Sequence, residues 1–467
     1  MKDRINGPVR VRFAPSPTGH LHIGSLRTAL FNYLFARHYK GEFLLRIEDT
    51  DRERSKAEYT DSILASLSWV DIQADEPMVI QSDQIRRHQE VIEKLVAEGK
   101  AYKCYCTQDD LKKRAGDELF FKYDGACRSR DDQPDMPYVI RFKLPDFQEI
   151  SFDDLIRGDV TIPRDQLDDF IIVRSDGNPM YNFVVVVDDA DMRITQVIRG
   201  EDHISNTPKQ ILLYQACGYT VPQFAHIPLI LGPSGNRLSK RDGATSALSY
   251  KELGYLPDAF VNYLVRLGWA HGDQEIFSRQ ELIDFFTLDA VGKKGAIFDL
   301  QKLNWLNGVY IRECSAQSLL SYIEREIDPA FSKQLSGWNS DMVLHAIELY
   351  KGRVFTIQEL IQEVTLLYKG PAAYDEADMR KWITEQTGEH LNQLLQTLEA
   401  IPQFNTDALS KQIKELAKKL ELKFAYLAQP IRIALIGKGS GPGVFDMLAQ
   451  IEKKESLDRI AALRDRV

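Results

Sequence analysis

The sequence predicts a multidomain α/β chain: a doubly wound parallel sheet with an α+β insertion, followed by an all-α half. Three observations carry this. A strand, a turn rich in Pro and Gly and an amphipathic helix open the chain and lead into a second apolar strand. A stretch with cysteines, prolines and short strands then interrupts the alternation, and beyond residue 243 the apolar patterns take the helical period.

Val9 to Phe13 reads as the first strand. Leu26, Ala29, Leu30, Tyr33 and Leu34 recur at i, i+3, i+4, i+7 and i+8, which starts a helix near Ser25 with one buried face. Phe43 to Ile47 is the next strand, completing a β-α-β unit. Glu48-Asp49-Thr50-Asp51 follows just past its end, where open parallel sheets bind ligands. The insertion runs from about Ala101 to Thr195, with short strands at Tyr138 to Phe142, Phe170 to Val173 and Tyr181 to Val187. Strand Ile194 to Ile198, helix Pro208 to Cys217 and strand Ile227 to Leu231 resume the sheet and lead into a glycine-bounded loop, Gly232 to Gly243. Helical periodicity then marks Asp258 to Leu267, Asp341 to Gly352, Thr356 to Tyr368, His390 to Glu399, Thr406 to Leu420 and Ser456 to Arg464, and a separate helical half begins near residue 325. The run Gly437 to Gly443 lacks both a preceding strand and a Gly-Lys-Ser/Thr ending, so it reads as a helix connection and not a phosphate cradle.

A chain of 467 residues, 44% of them hydrophobic, exceeds one core and implies several well-buried domains. The net charge of −9 argues against a nonspecific nucleic-acid binder but allows a local basic face. Five cysteines, an odd number, point to free or metal-bound thiols. With neither a membrane-length apolar run nor an apolar leader, the protein is expected in the cytoplasm with no membrane partner.

His22-Ile-Gly24 stands where the first orphan N–H groups and the positive dipole end of the helix point back at the turn, a setting suited to phosphate. Gly24 permits close approach and His22 offers a ring donor. The loop Arg237-Leu238-Ser239-Lys240-Arg241 places three cations around a serine. Together the two segments supply donors from opposite sides of one triphosphate.

These strings resemble the glutamyl-tRNA synthetases of bacterial type, a class I aminoacyl-tRNA synthetase family. His22-Ile-Gly24 matches the HIGH motif within Ala14-Pro15-Ser16-Pro17-Thr18-Gly19-His20-Leu21-His22-Ile23-Gly24, and Arg237 to Arg241 matches KMSKS. Arg46-Ile-Glu-Asp-Thr-Asp51 and Val197-Ile-Arg-Gly-Glu-Asp202 are further family-specific strings. Ser25 departs from the last His of HIGH; Arg237, Leu238 and Arg241 depart from KMSKS; Lys240, the cation nearest the phosphates, is kept.

The resemblance implies a Rossmann-type catalytic domain in two halves, 1–100 and 195–243, around an acceptor-stem-binding insertion, 101–194. A stem-contact helical domain, 244–325, and an anticodon-binding region of two subdomains, 326–467, complete the implied plan. ATP with Mg²⁺ would meet His22, Gly24, Thr18, Arg237, Ser239 and Lys240, the ion being held mainly by phosphates and water. L-glutamate would meet Arg12, Ala14, Ser16, Glu48, Tyr181 and Arg199: guanidinium forks for its carboxylates, Glu48 for its ammonium and Tyr181 as a pocket wall. Arg353 aligns with an arginine that relatives use near the last anticodon base of tRNA(Glu), and the chain is expected to act as a monomer. Cys104, Cys106 and Cys127 form a candidate zinc cluster. Ser129 stands where some relatives close such a site with His, and Tyr123 is the alternative fourth ligand; a metal-free loop with buried thiols has equal standing.

Four other readings compete. The truncated relative that modifies a tRNA base lacks an anticodon-binding half, which this chain carries. Glutaminylation is disfavoured because relatives of that type carry β-barrel anticodon domains. A catalytically inert RNA-binding protein has no use for His22, Lys240, Glu48, Arg12 and Arg199 together. A small-molecule nucleotidyl transferase leaves the last third of the chain unexplained.

Overall fold

The computed structural model describes residues 5, 7–51, 53–115, 122–236, 238 and 246–467. The chain divides into two compact units, one of residues 1–249 and 261–299, the other of residues 250–260 and 300–467. The second unit thus takes up the chain at Leu300, ahead of residue 325.

In the first unit, β1 (Arg10–Phe13), β2 (Glu42–Ile47) and β3 (Val79–Ile80) pair parallel in the order β1-β2-β3. The insertion supplies β4 (Ala101–Cys104), β5 (Val139–Phe142), the antiparallel pair β6 (Glu149–Asp154) and β7 (Gly158–Pro163), and β8 (Ile171–Val173). β4, β5 and β8 make a separate antiparallel sheet. Then β9 (Gln196–Gly200) and β10 (Gln223–Ile227) join β6 and β7 in the order β7-β6-β10-β9. Thr195 ties β9 to β1: its N–H donates to the Arg10 carbonyl at 2.9 Å, and its Oγ1 accepts from the Arg10 N–H at 2.7 Å.

Helix α1 (Ile23–His38) connects β1 to β2. It begins two residues before the expected Ser25 because the extended His22 caps it, Nδ1 accepting from the Gly24 N–H at 3.2 Å. Leu26, Ala29, Leu30 and Leu34 are buried as the spacing requires, and Tyr33 is half-buried; Arg27, Phe31, Asn32 and Phe35 are buried as well, so α1 is enclosed on more than one face.

Two expected strands are corrected. Tyr181 to Val187 is the start of a helix, Tyr181–Asp191. Phe183 and Val184 through Val187 are all buried, so no polar stripe distinguishes helix from strand in this run. The strand expected over Ile227 to Leu231 lies earlier, as β10, and only the pair β11 (Ile230–Leu231) remains after Pro228. Pro228 has no N–H for a ladder. β11 pairs with β12 (Ala296–Ile297).

The second unit is helical around one core that includes Ile347, Leu360, Leu394, Ile413, Ile431 and Ile460. Arg459, nearly buried, staples it by donating to the carbonyls of Leu367, Leu435 and Tyr368 at 2.8, 3.0 and 2.8 Å. The expected connection between helices is found from Gly437 to Gly443, joining Ala425–Ile436 to Val444–Gln450. Gly437 sits at φ +80°, where a Cβ would meet the Ala373 carbonyl at 2.6 Å. Among the described residues, no helix is long and apolar enough to cross a membrane.

Candidate active site

A cleft of about 720 Å³ in the first unit is lined by Arg12, Ala14, Pro15, Ser16, His22, Gly24, Glu48, Tyr181, Arg199 and Leu238, among others. Arg12 comes from β1, Glu48 from just beyond β2 and Arg199 from β9, so the carboxyl ends of parallel strands converge as this sheet type requires. The Glu48 N–H donates to the Pro15 carbonyl at 3.0 Å and the Lys56 N–H to the Pro17 carbonyl at 3.1 Å, fixing the turn over β2.

At the start of α1, Nδ1 of His22 is occupied as an acceptor by the Gly24 N–H. A neutral His22 therefore carries its proton on Nε2, as a donor. A Cβ at Gly24 would meet His22 Nδ1 at 3.5 Å, an ordinary contact, so packing within the chain does not demand the glycine. Leu21 and Ile23 are buried, Thr18 is exposed on the turn, and His20 turns away to Ser62 Oγ at 3.1 Å. Arg237, Ser239, Lys240 and Arg241 lie outside the described residues; the buried Leu238 donates its N–H to the Ile230 carbonyl at 3.2 Å.

On the opposite side a buried charge network appears. Arg12 Nε and Nη2 reach Asp189 Oδ1 and Oδ2 at 3.0 and 3.2 Å. Arg46, fully buried, donates to Asp189 Oδ1 at 2.6 Å and to Glu48 Oε1 at 3.0 Å. Burial works against ionisation of Asp189, but Arg12 and Arg46 overcome it and hold its carboxyl below the usual range. For Glu48 burial wins over Arg46 and Arg12, and its pKa is raised. Burial, with Glu48 adding, pushes the Tyr181 phenol up to about 12, so its OH stays protonated beside His203 Nδ1 at 3.1 Å.

Arg199 differs from Arg12 in its partners. Its Nε lies 3.2 Å from His226 Nε2 and its Nη2 2.8 Å from Thr207 Oγ1, while Nη1 is buried with no hydrogen-bond partner. A buried guanidinium nitrogen left unpaired carries a desolvation cost that only a further acceptor, from a ligand or from water, can offset.

The family model for class I tRNA synthetases of the E and Q type, catalytic domain, matches residues 8–305, and an anticodon binding domain model matches residues 316–464. The glutamate–tRNA ligase of Geobacter sulfurreducens is 45% identical over 462 residues, covering 97% of both chains. The chain belongs to the glutamate–tRNA ligase family of class I synthetases. The ligase of Thermodesulfovibrio yellowstonii is 44% identical, covering 98% of this chain and 99% of its own. The crystal structure of a glutamate tRNA ligase from Elizabethkingia meningosepticum, in complex with its amino acid, matches at 34% identity with a TM-score of 0.87, over 98% of this chain and 99% of that one.

Sequence reasoning missed Asp188, Asp189, Thr207 and His226, and gave Arg46 no role of its own. A signal existed: charged residues set inside apolar runs, as in Phe43-Leu-Leu-Arg-Ile47 and Val184-Val-Val-Val-Asp-Asp189, are costly unless paired.

In the insertion, the sulfur atoms of Cys104, Cys106 and Cys127 lie within 4.8 Å of one another. The Cys106 and Cys127 sulfurs are 3.5 Å apart, and Tyr123 OH is 3.2 Å from Cys104 Sγ and 3.9 Å from Cys106 Sγ. A tetrahedral zinc with Zn–S bonds of about 2.3 Å needs sulfurs about 3.8 Å apart, so three thiolates and one phenol oxygen fit that ion. Burial raises the Cys106 thiol to about 11; for Cys127 burial is outweighed by hydrogen bonds from the Tyr105 backbone and its neighbours, and its pKa is lowered.

Proposed function

We propose that the protein joins L-glutamate to the 3′ end of tRNA(Glu) in two steps, through a glutamyl-adenylate, releasing diphosphate and AMP. The observation that carries the choice of amino acid is Arg199 Nη1, buried and unpartnered in a cleft that it shares with Arg12, already paired with Asp189, and with Arg27, whose Nη1 and Nη2 donate to the carbonyls of Leu267 and Pro228. Arg12 and Arg199 take the two carboxylates of glutamate, Glu48 takes its ammonium and Tyr181 walls the pocket. Glutamine would leave Arg199 without a counter-charge, and an unmatched buried polar group discriminates strongly.

The substrate α-carboxylate attacks the α-phosphorus of ATP and diphosphate leaves, with no enzyme nucleophile. The chain supplies position and donors: His22 Nε2–H, the N-terminal amides of α1, and Lys240, Ser239 and Arg237 from the following loop. Mg²⁺, bound mainly through phosphates and water, would add charge neutralisation. Cys104, Cys106, Cys127 and Tyr123 would hold a structural zinc in the insertion.

Residues 101–194 serve the acceptor stem, 244–325 contact the tRNA stem and 326–467 serve the anticodon. Arg353 is exposed after helix Ser340–Tyr350, and its charge, after burial, helps lower the pKa of Arg432. An unpaired anticodon base stacks on such a guanidinium plane. The protein acts as a cytoplasmic monomer.

ATP–diphosphate exchange with glutamate or glutamine, each with and without tRNA, tests this reading. Exchange that needs glutamate supports it; exchange with neither amino acid under any condition overturns it.

A further inference from the structure

Arg199 is held from behind by a relay that crosses three neighbouring strands. β6, β10 and β9 lie side by side; His226 is the register partner of Arg199, and Asp154 pairs with Phe224, two residues before His226 on β10. Asp154 Oδ2 lies 2.6 Å from His226 Nδ1, and His226 Nε2 lies 3.2 Å from Arg199 Nε. Asp154, His226 and Thr207 are fully buried and Arg199 is 5% exposed, so water does not compete for these bonds.

The proton assignment has one consistent solution. Asp154 Oδ1 accepts backbone N–H groups from Ile156 and Arg157 at 3.0 and 2.8 Å, so the residue is an ionised acceptor and His226 donates to it from Nδ1. The neutral ring then presents a bare Nε2, which accepts from Arg199 Nε and from Thr207 Oγ1 at 3.1 Å. Thr207 in turn accepts from Arg199 Nη2, closing a ring of bonds. Burial and the charge of Arg199 lower the His226 pKa against the pull of Asp154, which keeps Nε2 bare.

We propose that Asp154 and His226 are positioning residues for substrate recognition: they fix Arg199 through Nε, while Thr207 and the His203 carbonyl hold Nη2, and Nη1 is left for the glutamate carboxylate. A carboxylate behind a histidine that sets its tautomer and orientation is a general device. Asn at 154 would donate to Nδ1, force the proton to Nε2 and set that donor against Arg199 Nε–H. Gln at 226 restores an acceptor near the Nε2 position, whereas Leu does not.

This inference rests on the assignment of Arg199 to substrate, so the experiment includes R199Q. Aminoacylation kinetics of the full chain, with glutamate, ATP and tRNA varied in turn, separate the two claims. R199Q, H226L and D154N are expected to raise the KM for glutamate at least tenfold while leaving the KM for ATP and tRNA within twofold, and H226Q to return it to within threefold of the parent. An R199Q enzyme with the parental KM for glutamate overturns the substrate assignment itself. A defective R199Q beside an H226L of parental KM, or an H226L that raises all three KM values equally without rescue by H226Q, overturns the relay. Nitrogen-15 NMR of the unmutated protein, with H226Q for assignment, gives a test independent of folding: a proton on Nδ1 is expected, and a proton on Nε2 contradicts the relay.

Discussion

Arg12 and Asp189 form a bidentate pair inside the first unit, with Nε–Oδ1 at 3.0 Å and Nη2–Oδ2 at 3.2 Å. Because Asp189 also holds Arg46, which in turn reaches Glu48, one carboxylate orients a cation of the cleft and, through Arg46, an anion of the cleft. The charges of the cleft are therefore set from beneath by a residue that does not line it.

Asp189→Asn leaves Arg12 and Arg46 buried without their counter-charge, and we predict a loss of about 3–5 kcal/mol in stability. Asp189 has a folded pKa below its unfolded value, so its contribution is present above the unfolded pKa and fades as pH falls through the folded one. Denaturant unfolding across pH should show a shallower acid decline in the variant than in the parent; equal declines would contradict this role.

Glu48 has its pKa raised by burial, so on acidification it gains a proton at a pH where an exposed carboxylate is still charged. The ammonium of glutamate then loses its partner. The KM for glutamate should rise as pH falls through that raised pKa, and Glu48→Gln should show a high KM with little pH dependence. A parent KM that is flat between neutral and mildly acidic pH counts against Glu48.

His22 caps α1 through Nδ1, and its Nε2 is the donor proposed to meet phosphate. His22→Ala should lower kcat by about 10²–10³-fold and cost about 1 kcal/mol of stability. Asn at this position can still cap α1, so His22→Asn should recover the stability and not the rate. Adenylate formation within threefold of the parent in either variant removes His22 from the chemistry.

Protein purified without chelator should carry about one equivalent of zinc by elemental analysis. Cys127→Ser, which removes the ligand with the lowered pKa, should carry much less. Less than a tenth of an equivalent in the parent would refute the site.

The opening β-α-β unit was legible because α1 and β2 carry ordinary spacing and because His22 and Gly24 stand at a helix start. The amino-acid side was legible only in its outer layer. Asp188 and Asp189 were hidden by the run Val184 to Val187, whose burial on every side erases the period that separates helix from strand. His226 was hidden differently: its meaning comes from sheet order, which places β6 and β9, far apart in sequence, on either side of β10. The start of α1 shifted to Ile23 because a histidine cap is absent from the usual Ser, Thr, Asp and Asn set.

The central claim is that the unpartnered Nη1 of Arg199 receives a carboxylate of glutamate. The most direct measurement is the ratio of kcat/KM for glutamate to that for glutamine, in the parent and in Arg199→Gln, with tRNA present throughout. A ratio of at least 10³ is expected in the parent and should collapse by at least 100-fold in the variant, chiefly through loss of glutamate activity. A ratio unchanged within threefold would contradict the claim.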